Sequence, residues 1–326
     1  MNILITGGAG YIGSNVAYNL IGKGHKTFII DNLSTGNKRI IPKKAKFVKS
    51  DISNKQKLKK ILKFNKFDAV MHFSGFIRVD ESIKKPKKYY LNNYKKSKIF
   101  LKMCIENGIK NFIFSSTAAV YGNKKKNVTE TDYLDPKHPY AKSKIKVENF
   151  LKICEKKNDI KYVVLRYFNV AGADKFMRTG HVSKASPHLI KKVCETILGK
   201  RKNIVVYGND YKTPDGSAIR DYIHVSDLAE IHRLSLMYLK NKKTSQIFNC
   251  GYGKGVSVLE VLKNAKKIYP KKINWLIGKR RKKDIYKSVA DNKKIRKILK
   301  FKPKFNNLSL IIKSSLRWEK KFKKFN

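Results

Sequence analysis

The sequence predicts an α/β fold built on a doubly wound parallel sheet, with a smaller mixed α/β domain after it. Three observations carry that expectation. Short β-rich runs alternate with amphipathic helical stretches through the first half of the chain. Those runs are near-continuously apolar, as strands covered on both faces are. A glycine-rich turn joins the first run to the first helical stretch.

In chain order, the candidate strands are NILIT (2–6), KTFIID (26–31), AKFVKSD (45–51), FDAVMHF (67–73), KNFIFSS (110–116) and KYVVLRYF (161–168). Between the first two lies SNVAYNLIGKG, an apolar-striped stretch that ends in glycines suited to a helix C-terminus. HPYAKSKIKVENFLKICEK (138–156) is a second helical stretch. On a helix, Lys142 and Lys146 point away from the stripe Val147, Leu151, Cys154, whereas Tyr140 and Lys144 project onto it. After Phe168 the pattern loosens. A first domain over 1–168 and a second over 169–326 are expected, with a segment near 220–250 returning to the first.

Composition bounds the function. The 326 residues are 41% hydrophobic, enough for a full core. The four cysteines, Cys104, Cys154, Cys194 and Cys250, have no metal-type spacing and read as buried thiols. No apolar run approaches the ~20 residues of a membrane span. No charged segment followed by an apolar one opens the chain, so a cytoplasmic protein is expected. The formal charge of +52 raises the question of nucleic acid. Of the 75 basic residues only 11 are arginine, the better phosphate and base reader. The lysines are spread along the whole chain rather than gathered into one stripe, which reads as a solvated surface. Such a charge still attracts anionic ligands, less so in salt.

Gly7, Gly10 and Gly13 stand after the first strand, at the mouth of a helix. Glycines there permit a tight turn, a close approach to a pyrophosphate and close helix–strand packing. The second strand ends at Asp31, whose carboxylate can accept both ribose hydroxyls of an adenosine and repels a 2′-phosphate, favouring NAD over NADP. Asp51, ending the third strand, is offered to the adenine edge. Tyr140 and Lys144 sit one turn apart, with Pro139 suiting the first helical turn. A free phenol ionises near pH ~10, so serving as a base near neutrality takes about 4 kcal/mol of differential stabilisation. An adjacent ammonium and an oxidised nicotinamide both act in that direction. A hydroxyl from SSTAAVYG would polarise the reacting oxygen. His72, on an apolar strand, reads as packed rather than metal-ligating, and no metal site is expected.

TGGAGYIGS, FSSTAAVYG, PYAKSK, LRYFNVAGA, GNDYKTPDGSAIRDYIHVSDLA and FNCGYGKGVSV resemble the extended short-chain dehydrogenase/reductase family, and within it the UDP-glucose 4-epimerases. The resemblance covers essentially the whole chain. It implies a Rossmann sheet, tightly held NAD, and a homodimer joined through the NNYKKSKIFLKMCIEN and YAKSKIKVENFLKIC helices. It also implies a reaction: Tyr140 takes the sugar 4-hydroxyl proton while hydride passes from C4 to NAD, and hydride returns to the other face of the turned 4-keto sugar. Thr117 matches the residue that hydrogen-bonds the 4-oxygen, with Ser115 and Ser116 as strand neighbours. Lys144 would touch the nicotinamide ribose and lower the Tyr140 pKa. At the cofactor, Gly7, Gly10, Tyr11, Ile12, Gly13, Asp31 and Asn32 match, as do Asp51, Ile52, Phe73, Asn92 and Phe168. For the nucleotide sugar, Asn169, Leu189, Tyr207, Arg220, Arg281 and Asp284 match. Arg220 and Arg281 are guanidiniums of the kind that clamp a diphosphate, although Arg220 could instead pair with Asp221.

The chain departs from that pattern at three places. Ile77 stands where some epimerases carry a lysine that reaches NAD, Lys282 and Lys283 precede Asp284 in place of a glycine, and His188 replaces an asparagine. Ser288, four residues after Asp284, occupies a place where a large tyrosine restricts the family's substrates to UDP-glucose and UDP-galactose. A serine there leaves room for UDP-N-acetylglucosamine, unless Tyr286 fills the space. Ala118 and Ala119 argue against dehydration, which needs an acid/base pair at those positions. A protein that only binds NAD, and a basic nucleic-acid binder, are the readings from other classes.

Overall fold

The structure is a computed structural model that describes residues 1–183, 186–242, 244–270, 273–281 and 285–323. It opens with β1 (Asn2–Thr6), α1 (Tyr11–Ile21), β2 (Lys26–Asp31), β3 (Lys46–Lys49), α2 (Lys55–Phe64) and β4 (Ala69–His72). Next come α3 (Val79–Lys84), α4 (Pro86–Tyr89), a π-helical turn (Tyr90–Lys95), α5 (Lys96–Glu106), β5 (Asn111–Thr117), α6 (Pro139–Asn158) and β6 (Lys161–Tyr167). The chain goes on through β7 (Asn169–Ala171), α7 (Leu189–Ile197), β8 (Ile204–Tyr207), β9 (Ile219–His224), α8 (Val225–Lys242) and β10 (Gln246–Cys250). It closes with β11 (Gly255–Ser257), α9 (Val258–Ile268), β12 (Trp275–Gly278), β13 (Lys287–Ser288), α10 (Lys293–Leu299) and α11 (Leu308–Lys323).

Seven strands form one sheet in the order β10-β6-β5-β4-β1-β2-β3, the doubly wound arrangement expected. The registers of β3, β2, β1, β4 and β5 are parallel. Strand order reverses beside β1, and the carboxyl end of a sheet at such a point is where α/β folds receive ligands. Alternate residues of each strand face opposite sides. Leu4, Phe28, Ile30, Val70, Phe112, Phe114, Tyr162 and Val164 join one core with Leu58, Ile61 and Leu62 of α2 and Val147 and Leu151 of α6. Ile3, Ile5, Ile29, Met71, Ile113 and Val163 are buried as well, so both faces of the sheet are covered. All four cysteines are buried, and none is in a disulfide.

Local chemistry sets the helices. Asn54 caps α2 by accepting the Lys57 N–H at 3.0 Å, and the lysines of α2 face solvent opposite its three buried residues, Leu58, Ile61 and Leu62. Ser257 and Glu260 form a reciprocal capping box on α9. His72 is packed as expected: its ring lies between Phe100 and Phe114, and its nitrogens meet Thr6 Oγ1 at 2.6 Å and Ser97 Oγ at 2.8 Å. Burial pushes that imidazole down to about 3.

The chain divides into two compact units. One comprises Met1–Val120, Pro136–Arg166 and Ala229–Phe248; the other comprises Tyr121–Asp135, Tyr167–Leu228 and Asn249–Asn326. In the second, β9 pairs with β11 antiparallel and with β7 and β13 in parallel, and β8 pairs with β12.

Candidate active site

The first unit carries the glycine turn. Gly7 follows β1 at φ +72°, and a Cβ there would lie 2.7 Å from Ser74 N. A Cβ on Gly13 would lie 2.4 Å from the Gly7 carbonyl oxygen, and one on Gly10 would lie 3.2 Å from it. Gly10 precedes α1 without a side-chain cap, and Tyr11, Ile12 and Gly13 form its first turn. The turn is therefore a space that side chains would fill, at a helix end whose first N–H groups suit an anion. Gly13→Ala is expected to cost about 1–3 kcal/mol of stability, because its methyl meets backbone rather than a movable side chain. It should also lower NAD content at least about tenfold. Cofactor content of the purified variant measures the second effect.

Asp31, buried at the end of β2, accepts the Ala9 N–H at 3.0 Å and the Leu33 N–H at 2.8 Å. Burial raises its pKa despite those bonds. Asn32 reaches Asp51 at 3.3 Å, and Asp51 also accepts Lys96 Nζ at 2.6 Å and the Ser53 N–H and hydroxyl. Burial pushes the Asp51 carboxyl up, but Lys96 and Ser53 outweigh it and hold the group below its ordinary value. Ile52 belongs to the core, and the Phe73 ring packs on His232 at 4.9 Å. Asn92 lies in the π-helical turn and donates to Asn93 at 3.1 Å. The buried Asn93, which the sequence reading did not single out, grips the loop after β4: it accepts the Phe76 N–H at 2.8 Å and donates to the Phe76 carbonyl at 2.9 Å. Glycine turn, carboxylate and gripped loop together fit NAD.

β5 ends in Thr117, and α6 begins at Pro139, so the sheet brings the Thr117 hydroxyl close to the Tyr140 phenol. Lys144, 3% exposed, donates to the Ser115 carbonyl at 2.7 Å and lies 4.9 Å from the centre of the Phe114 ring. Burial pushes its ammonium down to about 8, against the opposing pull of Glu148. Burial raises the Tyr140 pKa, and only the Thr117 contact opposes the rise. Desolvation of the phenol thus opposes the pull expected from the Lys144 and nicotinamide charges. Behind these groups, the Glu148 carboxylate accepts Arg166 Nη2 at 2.7 Å and Nε at 3.3 Å, together with the Ser116 hydroxyl.

Two neighbours of Tyr140 also escaped the sequence reading. Tyr89, fully buried, meets its ring edge-on at 6.5 Å. His138 lies parallel to it at 5.9 Å and caps α6, accepting the Ala141 N–H on Nδ1 at 3.3 Å. A histidine in the cap position before Pro-Tyr was the signal available, since caps are usually Ser, Thr, Asp or Asn.

The second unit holds the residues matched to a nucleotide sugar. Phe168 is buried, and Asn169 opens β7. Leu189 is the first residue of α7, preceded by His188, whose ring meets His181 at 5.6 Å. The Arg281 guanidinium lies 3.8 Å from the centre of the Tyr207 ring, with Lys192 Nζ 6.0 Å from the same ring. Arg220 donates to the Ile219 carbonyl at 2.9 Å. Its neighbour Asp221 is fully buried and accepts the N–H groups of Tyr252, Gly253 and Ala290, on the opposite face of β9 from Arg220. That arrangement runs against the Arg220–Asp221 pair considered from the sequence. Ser288 is the register partner of Arg220. Asp284, with Lys282 and Lys283, lies outside the described residues.

A tyrosine and a lysine one helical turn apart, with the threonine ending the adjacent strand of a sheet whose first turn suits a pyrophosphate, place the chain in the extended short-chain dehydrogenase/reductase class. It belongs to the NAD dependent epimerase/dehydratase family, whose model matches residues 3–251. A UDP-glucose 4-epimerase of Azospirillum brasilense is 42% identical over 98% of this chain and 92% of its own length. The UDP-glucose-4-epimerase from Stenotrophomonas maltophila, solved with bound NAD and formylated UDP-arabinopyranose, has a TM-score of 0.95 at 32% identity and covers 100% of both chains. The UDP-Glc/GlcNAc 4-epimerase of Campylobacter jejuni has a TM-score of 0.85 at 39% identity, covering 98% of this chain and 99% of its own.

Proposed function

We propose that this chain is an NAD-dependent epimerase that inverts C4 of a UDP-hexose, interconverting UDP-glucose and UDP-galactose. The observation that carries the reading is the Thr117 hydroxyl close to the Tyr140 phenol, with Lys144 one turn further along α6, in the unit that also holds the glycine turn. Gly7, Gly10 and Gly13 leave room for the pyrophosphate, Asp31 takes the adenosine ribose, and Asp51 with Ile52 borders the adenine. Bound NAD supplies the hydride acceptor and donor, and a positive ring near the phenol. Tyr140, ionised to its phenolate, takes the 4-hydroxyl proton onto its oxygen. Thr117 donates to the same oxygens and steadies them as negative charge develops. Lys144, fixed through Ser115, supplies the nearby positive charge that offsets burial of the phenolate. Arg220 and Arg281 bind the diphosphate, and Tyr207 offers its ring to the base. Retention of NAD by the purified protein, and interconversion of the two UDP-sugars without added cofactor, test the reading. Protein that holds no NAD and turns over neither sugar overturns it.

Two further parts of the reading concern assembly and setting. A homodimer through α5 and α6 is supported by Ile153, which is 53% exposed on α6. No helix among the described residues is long and apolar enough to cross a membrane, and a cytoplasmic setting is part of the proposal. The lysines clothe the surface without selecting a nucleic acid.

Ser288 favours a second substrate. Its register beside Arg220 supports the reading that a small side chain borders the sugar there. The C. jejuni relative, whose name includes both sugars, supports this reading. Wild type is expected to accept UDP-N-acetylglucosamine, and Ser288→Tyr should lower kcat/KM for that sugar at least about tenfold while sparing UDP-glucose. Equal rejection of the acetylated sugar by both proteins would assign the pocket wall to another residue, Tyr286 first.

A further inference from the structure

We propose that His138 is a positioning residue for Tyr140, its imidazole face fixing the phenol ring while its Nδ1 closes the end of α6; this rests on the reading of Tyr140 as proton acceptor. His138 is 7% exposed, with extended backbone ahead of Pro139. Accepting the Ala141 N–H on Nδ1 requires a neutral ring with its proton on Nε2. Burial supports that state, pushing the imidazole down to about 4.

The cap alone does not call for a ring, since serine, threonine, asparagine or aspartate accepts the same bond with fewer atoms. What the imidazole adds is a flat surface. Its plane is 7° from that of Tyr140, with centroids 5.9 Å apart. Tyr89 presses on the same phenol at 82°, so Tyr140 is confined from two directions. Tyr89 is itself held by the Arg78 N–H, which it accepts at 3.1 Å, and by Glu81, to which it donates at 2.9 Å. The His138 contact is the one made by a residue next to the helix start, so it ties the phenol to the same turn that carries its backbone. A reacting group displaced by about 1 Å can lose about 10²-fold in rate, which makes such confinement consequential.

Two substitutions separate cap from ring in the NAD-loaded protein. His138→Asn keeps a capping acceptor and removes the ring. It should melt within a few degrees of wild type, keep KM within about twofold, and lose about tenfold or more in kcat. His138→Phe keeps a ring and removes the acceptor; it should melt lower while kcat stays within about threefold of wild type. Ultraviolet difference titration against Tyr140→Phe reads the phenol pKa without turnover. That pKa should fall in His138→Asn, as water reaches the face the imidazole covers. Wild-type kcat in His138→Asn, or an unmoved phenol pKa, overturns the proposal. So does a folded His138→Phe as slow as His138→Asn; if His138→Phe does not fold, His138→Asn decides alone. Failure of the epimerase reading appears separately, as wild-type protein that turns over neither sugar.

Discussion

Tyr140→Phe is expected to lower kcat by about 10²–10⁴-fold while leaving NAD content and the melting temperature close to wild type. The substitution removes one oxygen from a ring held by Thr117, Tyr89 and His138, and the ring itself stays. Burial raises the phenol pKa, so ionising this group for proton transfer takes compensating stabilisation. The proposed role of Lys144 requires its ammonium, which burial brings down to about 8, so turnover should fall as pH rises through that value. Rate and bound NAD should be measured on the same preparation. A variant that keeps its NAD and turns over normally would show that the proton leaves by another route.

The second large effect is on stability. Glu148→Ala should cost about 3–5 kcal/mol, because it removes the carboxylate that the buried Arg166 guanidinium pairs with. Arg166 and Glu148 are 3% and 6% exposed in their side chains, so water can replace neither. Denaturant midpoints of the single variants and of Glu148→Leu with Arg166→Met test this. The double variant should recover much of the loss, since removing both charges leaves nothing uncompensated. A Glu148→Ala protein within about 1 kcal/mol of wild type would refute the argument. Loss of Glu148 also removes the charge that supports the Lys144 proton and the acceptor that anchors Ser116, one residue before Thr117. Slower turnover should accompany the lost stability.

The sheet was legible in the sequence because its strands carry apolar residues on both faces. KTFIID and NILIT match β2 and β1 residue for residue, and KNFIFSS and KYVVLRYF fall within one residue of β5 and β6. β10, five residues with a glutamine and an asparagine, has no comparable run. At the site, spacing alone put Tyr140 and Lys144 on one helix face, and the glycines announced a close backbone approach. The environment of those groups was not legible. Whether a phenol is dry, which amides saturate Asp221, and which asparagine grips the Phe76 loop depend on residues distant in the chain. The desolvation that opposes ionisation of Tyr140 is of that kind. Asn93 was missed because a π-helical turn six residues long has no hydrophobic period that separates it from an ordinary helix.

That turn has a consequence for how the chain can change length. A π-helical turn holds one residue more than the α-helical path needs, so it acts as slack in a helical stretch that is otherwise fixed in phase. From Lys96 onward, Ser97, Phe100, Leu101 and Cys104 must keep facing the core, and a residue gained or lost there would rotate all four by about 100°. Between Tyr90 and Lys95 a residue can be removed while that phase is kept, the wide turn simply tightening. What would be given up is the aim of Asn93, and with it the grip on the backbone at Phe76. The excess residue is thus tolerated by the helix and required by the loop, so selection on the loop alone can keep it.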